Sequence, residues 1–362
     1  MSESPTLSYA DSGVVAAAKP LSGLLSWVNQ TLSIRKGVGE PVLGIGYYAN
    51  VLRLTDNLGL AICTDGVGTK ILVAEMMRKY DTLGIDCIAM NANDVICVGA
   101  EPLAMVDYLA VQEARPDVLE QIGKGLYEGA LQANINIPGG ELAQLKDMIA
   151  GLRPNEGIDL MGTCVGIVQL DRMILGQNMQ AGDVVMGLAS TGVHSNGFTL
   201  ARKALFDTAG YQPDQHLEEL GTTVGDALLA PTRIYVRPVW QMITEGLPIR
   251  SLYHITGDGL LNLNRGEKPL GFDLTWLPEP QPIFKLISEA AGAPPEEMYL
   301  VFNMGVGFCV VVPEEAVARV QAIAAEHGVE SWKLGTVVED DRKRVWLRPL
   351  GLVGEGEGFT AE

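Results

Sequence analysis

Positive charge is scarce in this chain: 26 Lys and Arg stand against 44 Asp and Glu in 362 residues, a formal net charge of −18. Nonspecific contact with DNA, RNA or anionic lipid needs clustered Lys and Arg, so no nucleic acid and no membrane surface is expected as a partner. A small phosphorylated ligand stays admissible, because a divalent cation and a few backbone N–H groups reverse the field locally. Long apolar runs are missing too, with no stretch of about eighteen apolar residues to span a bilayer. The opening MSESPTLSYADSG has no basic segment followed by an apolar one, so no secretory leader is expected and the cytoplasm is the default location. Cysteines are few: Cys63, Cys87, Cys97, Cys164 and Cys309 are odd in number, sit mostly in apolar runs and form no CxxC pair. Free buried thiols are expected rather than disulfides or zinc.

What is present is a globular composition, 47% apolar with 42 glycines, in a chain longer than one hydrophobic core usually fills. Alternation and turn residues predict strands at 51–55, 58–63, 104–111 and 160–169. Helical spacing is expected at 70–79, 81–98, 116–134 and 141–150, with Gly99 as a left-handed stop. A polar stretch at 170–182 marks a domain boundary. Beyond it, strands are expected at 184–189 and 300–313, and helices at 199–209, 231–244 and 314–327. Strands and helices mix in both halves, so the expected class is α/β or an α+β sandwich.

The chemistry-bearing segments start at DGVGTK, residues 65–70, directly after an apolar run. Glycine lets backbone N–H groups approach an anion, Lys70 supplies a point charge, and Asp65 is a hard oxygen ligand suited to Mg²⁺. The other reading is an ordinary strand-to-helix turn. Asp94 lies in a helix otherwise lined by Ile88, Met90, Val95 and Val98, where a carboxylate must be paired, hydrated or metal-bound. Asp107 sits in a strand and either turns inward or faces solvent. Glu141 follows Gly139 and Gly140 and is expected to open a helix, where it either caps the helix or serves a ligand site. In STGVHSNGF, residues 190–198, His194 is a general acid or base, a phosphate donor or a cap. His254 in HITGDG, beside Asp258, is a second candidate. Neither a Walker A loop nor a GxGxxG fingerprint in a βαβ unit is present.

Taken in order, TDGVGTK, YDTLGIDCIAMNANDVICVGAEPL, PGGE, MGTCVGIV, STGVHSNGF, LLAPTRIYV, HITGDG and EMYLVFNMGVG resemble the phosphoribosylformylglycinamidine cyclo-ligase family, aminoimidazole ribonucleotide synthetases, from about Tyr9 to Val338. The resemblance implies two α/β sandwich domains. Residues 1–172 would bind ATP and Mg²⁺ and pair across a homodimer into a β-barrel, and 173–350 would face the active-site cleft; residues 351–362, beyond the resemblance, are expected as a flexible tail. It implies ring closure of formylglycinamidine ribonucleotide, in which the formyl amide oxygen takes the γ-phosphate of ATP and a substrate nitrogen then displaces it. By the same resemblance Asp65, Asp94 and Glu141 would serve the metal. Gly66, Val67, Gly68, Thr69, Lys70, Gly139 and Gly140 would line the nucleotide site, and His194, Asn196 and Lys70 would be catalytic. A related phosphotransferase with another acceptor, or a noncatalytic nucleotide-binding paralogue, is the alternative. It is motivated by departures from the family pattern: Leu142, Ala143, Gln144 and Leu145 follow PGGE, Trp27 aligns near an expected lysine that Lys19 or Lys36 would have to replace, the arm at Gly44 and Gly46 is less glycine-rich, and Asp258 replaces a glycine.

Overall fold

The computed structural model describes residues 18–266 and 268–362, with side chains from residue 21 onward. The start of the resemblance at Tyr9, and the side chain of Lys19, therefore lie outside the described residues.

The first half consists of α1 (Ala18–Thr31), β1 (Asn50–Arg53), β2 (Leu58–Gly66), α2 (Lys70–Met77), α3 (Leu83–Cys97), β3 (Glu101–Val111), α4 (Pro116–Ala133), β4 (Gly140–Gln144) and β5 (Ile158–Gln169). Its strands form one sheet in the order β1-β2-β5-β3-β4, antiparallel except for β4 beside β3. One side of this sheet carries Ala61, Met105, Leu109, Leu160 and Cys164, all buried under the helices. The helix layer sits close because glycines leave room: a Cβ on Gly84 of α3 would stand 2.1 Å from the backbone N of Leu126 in α4. Gly99, at φ +78, stops α3 in the left-handed conformation expected of it.

The second half consists of β6 (Val184–Ala189), α5 (Phe198–Arg202), a ribbon of β7 (His216–Leu217) and β8 (Thr222–Thr223), α6 (Val224–Leu229), α7 (Val236–Thr244), β9 (Ser251–His254), β10 (Leu270–Leu274), α8 (Pro282–Ala291), α9 (Pro295–Val301), β11 (Val306–Val312), α10 (Val317–Glu326), β12 (Ser331–Glu339), β13 (Val345–Leu347), β14 (Leu352–Glu355) and β15 (Gly358–Ala361). Eight of these strands make a second sheet, β15-β14-β13-β10-β12-β6-β11-β9. Its centre is apolar throughout, and every residue of β6 and β11 is buried. Two mixed layers of helix and sheet are thus the observed class, an α/β fold.

Local patterns misled at four places. The segment after PGGE is a strand, not a helix, because the edge of β3 offers main-chain partners from Asp107 to Val111. Leu300 and Val301 end helix α9, started by the prolines at 294 and 295, and the strand begins only at Val306. Residues 231–235 are not helical, since their backbone is engaged elsewhere: Thr232 N–H donates to Asp86 and Tyr235 N–H to Asn93. Residues 351–362, expected as a tail, form the β14–β15 hairpin on the edge of β13. All five cysteines are free.

Candidate active site

Helix α3 joins the two halves. It is apolar on nearly every side and covered on nearly every side: β2 and β5 lie against one face, α4 against another, and β9 and α7 of the second half against the rest. Its few polar side chains each grip a different segment. Asn91 clasps the end of β2, accepting from Asp65 N–H at 3.0 Å and donating to Asp65 C=O at 3.1 Å. Gly162, opposite Asp65 in β5, makes room for this: a Cβ there would stand 3.1 Å from the Asn91 amide nitrogen. Asn93 clasps the second half, donating to Arg233 C=O and accepting from Tyr235 N–H, both at 2.9 Å. Asp94 meets His254 of β9, with Oδ1 and Nδ1 2.8 Å apart. A carboxylate only accepts, so the imidazole donates from Nδ1.

Asp65 and Asp94 therefore share the seam between the halves. Both are half-buried. Burial, and next the charge of Asp94, push the Asp65 carboxyl above its ordinary range, while the N–H of Gly66, 2.7 Å from Oδ1, and His254 pull the other way. Two hard oxygen donors, the charge of Asp94 raising the cost of ionising Asp65, fit a divalent cation that also takes phosphate oxygens. Mg²⁺ is commonly held in that way, by one or two carboxylates and its substrate's phosphates. Among the described residues no group of three or more His, Cys, Asp or Glu gathers as an all-protein cage.

Lys70 goes elsewhere. Its side chain is wholly buried, and Nζ donates to Asp86 Oδ1 at 2.9 Å, His194 C=O at 3.0 Å and Ala230 C=O at 2.7 Å. An ammonium has three donors, so none is left for a phosphate. Asp86 Oδ1 also accepts from the N–H and hydroxyl of Thr232, each at 2.7 Å. Burial lowers the Lys70 pKa, and the Asp86 carboxylate opposes that shift. The lysine expected to serve the nucleotide is instead a buried tie between the halves.

His194 is likewise interior, 1% exposed, against Tyr235 and Gly307. Thr191 N–H donates to its Nε2 at 3.2 Å, and its Nδ1 has no partner. Burial, then the nearby His254 and Lys70, hold its pKa well below the ordinary value, so the ring is neutral and removed from solvent. Its backbone is strained into the left-handed region at φ +65. Asn196, two residues on, is half-buried like Ser195 before it; its Oδ1 stands 3.4 Å from where a Cβ on Gly257 would be, which joins HSNG to HITGDG.

In the DGVGTK turn, Val67 is buried with its N–H bonded to Leu160 C=O, while Gly68 and Thr69 are exposed. The Thr69 hydroxyl lies 3.3 Å from that of Thr199 at the start of α5. Glu141 does not converge with the carboxylate pair. Asp65, Gly162, Asp107 and Gly140 are successive partners across the sheet, so the PGGE turn lies three strands, about 14 Å, from Asp65. Asp107 packs against Gly140, filling the space a side chain there would need, and faces the helix layer rather than solvent. Gly139, Gly140 and Glu141 are exposed.

The remaining departures from the expected pattern also have places. Trp27 is 72% exposed on α1, and Lys36 pairs with Glu40 at 3.2 Å on the surface. Asp258 sits at φ −97, where no glycine is required, and pairs with Arg265 at 3.1 Å. Arg265 lies 4.7 Å from the ring centre of Tyr48, in the arm. Sequence reasoning missed Asn91, Asn93 and Arg265. The visible signal for the first two was a pair of amides, two residues apart, within an apolar helix.

Comparison with known proteins matches both halves. A family described as "AIR synthase related protein, N-terminal domain" matches residues 46–168, and its C-terminal counterpart matches 180–348. Curated relatives named phosphoribosylformylglycinamidine cyclo-ligase include those of Pyrococcus horikoshii, 48% identical over 93% of this chain and 97% of the relative, and Methanobrevibacter smithii, 44% identical over 93% and 96%. Among solved structures, tt0281 from Thermus thermophilus aligns with a TM-score of 0.60 at 20% identity, covering 91% of this chain and 97% of that one. Hydrogenase maturation protein HypE aligns with a TM-score of 0.57 at 18% identity, covering 84% and 88%, and shares the fold. This chain belongs to the AIR synthase related family.

Proposed function

We propose that this chain catalyses the ATP-dependent closure of formylglycinamidine ribonucleotide to aminoimidazole ribonucleotide in purine biosynthesis. The observation that carries the reading is the match of both halves to one family, with cyclo-ligases 44% to 48% identical over nearly the whole chain. The seam supports it chemically. Phosphoryl transfer needs positioning and charge neutralisation more than covalent help from the protein.

In this reading Asp65 and Asp94 would hold Mg²⁺, which when bound would supply charge neutralisation for the nucleotide phosphates. Asn91 fixes the backbone of Asp65, and His254 fixes the carboxylate of Asp94, so both oxygens are set before ligand arrives. Gly68 and Thr69 offer exposed backbone N–H and hydroxyl groups beside them. From the second half, the half-buried Asn196 of the HSNG loop is assigned to the same site by this reading. Purified protein given ATP, Mg²⁺ and formylglycinamidine ribonucleotide should release ADP and aminoimidazole ribonucleotide; no turnover at high enzyme concentration would refute the reading.

A homodimer, and a cytoplasmic location, complete the proposal. The side of the first sheet away from its helices carries Leu60, Ile62, Met161, Val165 and Ile167 half-buried, with Val106 and Tyr108 44% and 36% exposed. Such a face, uncovered among the described residues, suits a second copy of the same sheet, which would also protect strand edges. Glu141 lies on the Tyr108 side of the sheet, so in such a dimer it meets the partner rather than its own Asp65. Light scattering should give twice the chain mass, and Val106→Asp should halve it. No helix among the described residues is long and apolar enough to cross a membrane.

A further inference from the structure

We propose that Arg265 is the phosphate-binding cation of the seam and that Asp258 is its resting counter-ion. The proposal rests on the cyclo-ligase reading for the reaction, and on this chain's own geometry for the residue. Both substrates of that reaction carry phosphate, and the seam presents two carboxylates. Lys70 is spent on three internal acceptors, and Lys36 is paired on the surface with Glu40. Arg265 reaches across the seam to Tyr48 of the first half; burial lowers its pKa, while Tyr48, the bond to Asp258 and, least, the charge of Asp94 raise it on balance.

Its placement is prepared. Arg265 ends the short 3₁₀ segment Gly259–Arg265, and its guanidinium lies 4.7 Å from the centre of the Tyr48 ring. Asn262 fastens this platform: Nδ2 donates to Gly259 C=O at 2.8 Å, while Oδ1 accepts from the hydroxyls of Tyr48 at 3.5 Å and Thr256 at 3.4 Å. A guanidinium held over a ring keeps its edge donors free for a planar or tetrahedral oxyanion. Of its five N–H groups, Arg265 donates one bond to the described residues, from Nη2 to Asp258 Oδ2 at 3.1 Å. The Arg265 side chain is 35% exposed and that of Asp258 62%, so the pair is weak enough for a phosphate dianion to displace. Asp258 thus tunes how tightly the phosphate is held, at a position where a glycine would leave Arg265 unopposed.

Steady-state kinetics of the whole chain, with ATP and the ribonucleotide varied separately, test this and tell the two phosphate sources apart. Arg265→Met should raise KM for one of the two by about tenfold or more while kcat changes less, the loss of one charge-assisted contact. Arg265→Lys, which keeps charge without the fork, should recover part of that loss. Asp258→Asn should lower the same KM by up to about fivefold with unchanged Tm. Unchanged KM for both substrates in Arg265→Met, equal rises in both with a lower Tm, or a raised KM in Asp258→Asn would overturn the assignment. If wild type does not turn over, the cyclo-ligase reading fails by itself. Calorimetric titration of wild type and Arg265→Met with ATP and with ribose 5-phosphate then decides on Arg265, equal affinities overturning it.

Discussion

Six consecutive residues serve two regions of opposite character. Asp65 opens onto the seam, where its carboxyl is raised by burial and by Asp94 and, among the described residues, forms no ion pair with a lysine or arginine. Lys70, five residues later, is sealed inside with every donor engaged, on Asp86 and on two carbonyls of the second half. The seam holds groups at a cost to stability, and the interior tie holds groups whose loss removes stability. Residue type does not separate the two, since a lysine beside glycines and an aspartate reads as phosphate chemistry. The separation follows from whether hydrogen-bonding capacity is already filled.

Breaking the tie should give the largest effect. Lys70→Met leaves Asp86 buried against Thr232 without its cation, a loss of about 3–5 kcal/mol and much of a typical domain's margin. Denaturant unfolding should show it, and Lys70→Met with Asp86→Leu should be milder than Lys70→Met alone, because no unpaired charge then remains.

Breaking the seam should leave the fold intact and remove activity. Asp65→Asn or Asp94→Asn should lower turnover on the order of 100-fold or more, the scale of one lost electrostatic contact at a reacting phosphate. The apo Tm should separate Asp65→Asn further. A raised carboxyl pKa means the charged form destabilises the fold above that pKa, so Asp65→Asn should match or exceed wild type at neutral pH.

His194 sharpens the comparison through pH. Its folded pKa lies well below the unfolded value of 6.5, so the unfolded chain takes up a proton that the native chain refuses. Its contribution to stability is complete above about pH 6.5 and is lost as pH falls below that value. Unfolding free energy should therefore decline on acidification from pH 7 to pH 5, and less steeply in His194→Gln. The smallest effect belongs to Thr69, between the two regions. Its hydroxyl contact with Thr199 is exposed, and Thr69→Val should shift stability by no more than about 0.5 kcal/mol.

Much of the frame was legible because it is local. The run before DGVGTK, the helix containing NAND and the Gly99 stop depend on neighbours within one turn. The errors arose where distant partners decide. PGGE has the composition of a helix start, yet Gly140 pairs with Asp107 across 33 positions of chain, and that ladder drew residues 140–144 into a strand. Leu300 and Val301 continue an apolar run, but the prolines before them had already begun a helix. Lys70 finds acceptors 124 and 160 residues away, in segments no local pattern connects to it. In the candidate site, Asp65, Asp94 and Asn196 could be proposed from sequence as polar groups in glycine-rich or apolar settings. Arg265 was not, because its significance comes from Tyr48, more than two hundred residues earlier, and from Asp258 beside it.

The division within DGVGTK is tested most directly by measuring thermal unfolding and ATP-dependent ring closure side by side for Asp65→Asn and Lys70→Met. The expected result is a folded but inactive Asp65→Asn, with Tm at or above wild type, and a Lys70→Met whose Tm falls by several degrees. A Lys70→Met that melts like wild type yet has lost turnover would contradict it, for that would place the lysine on the substrate.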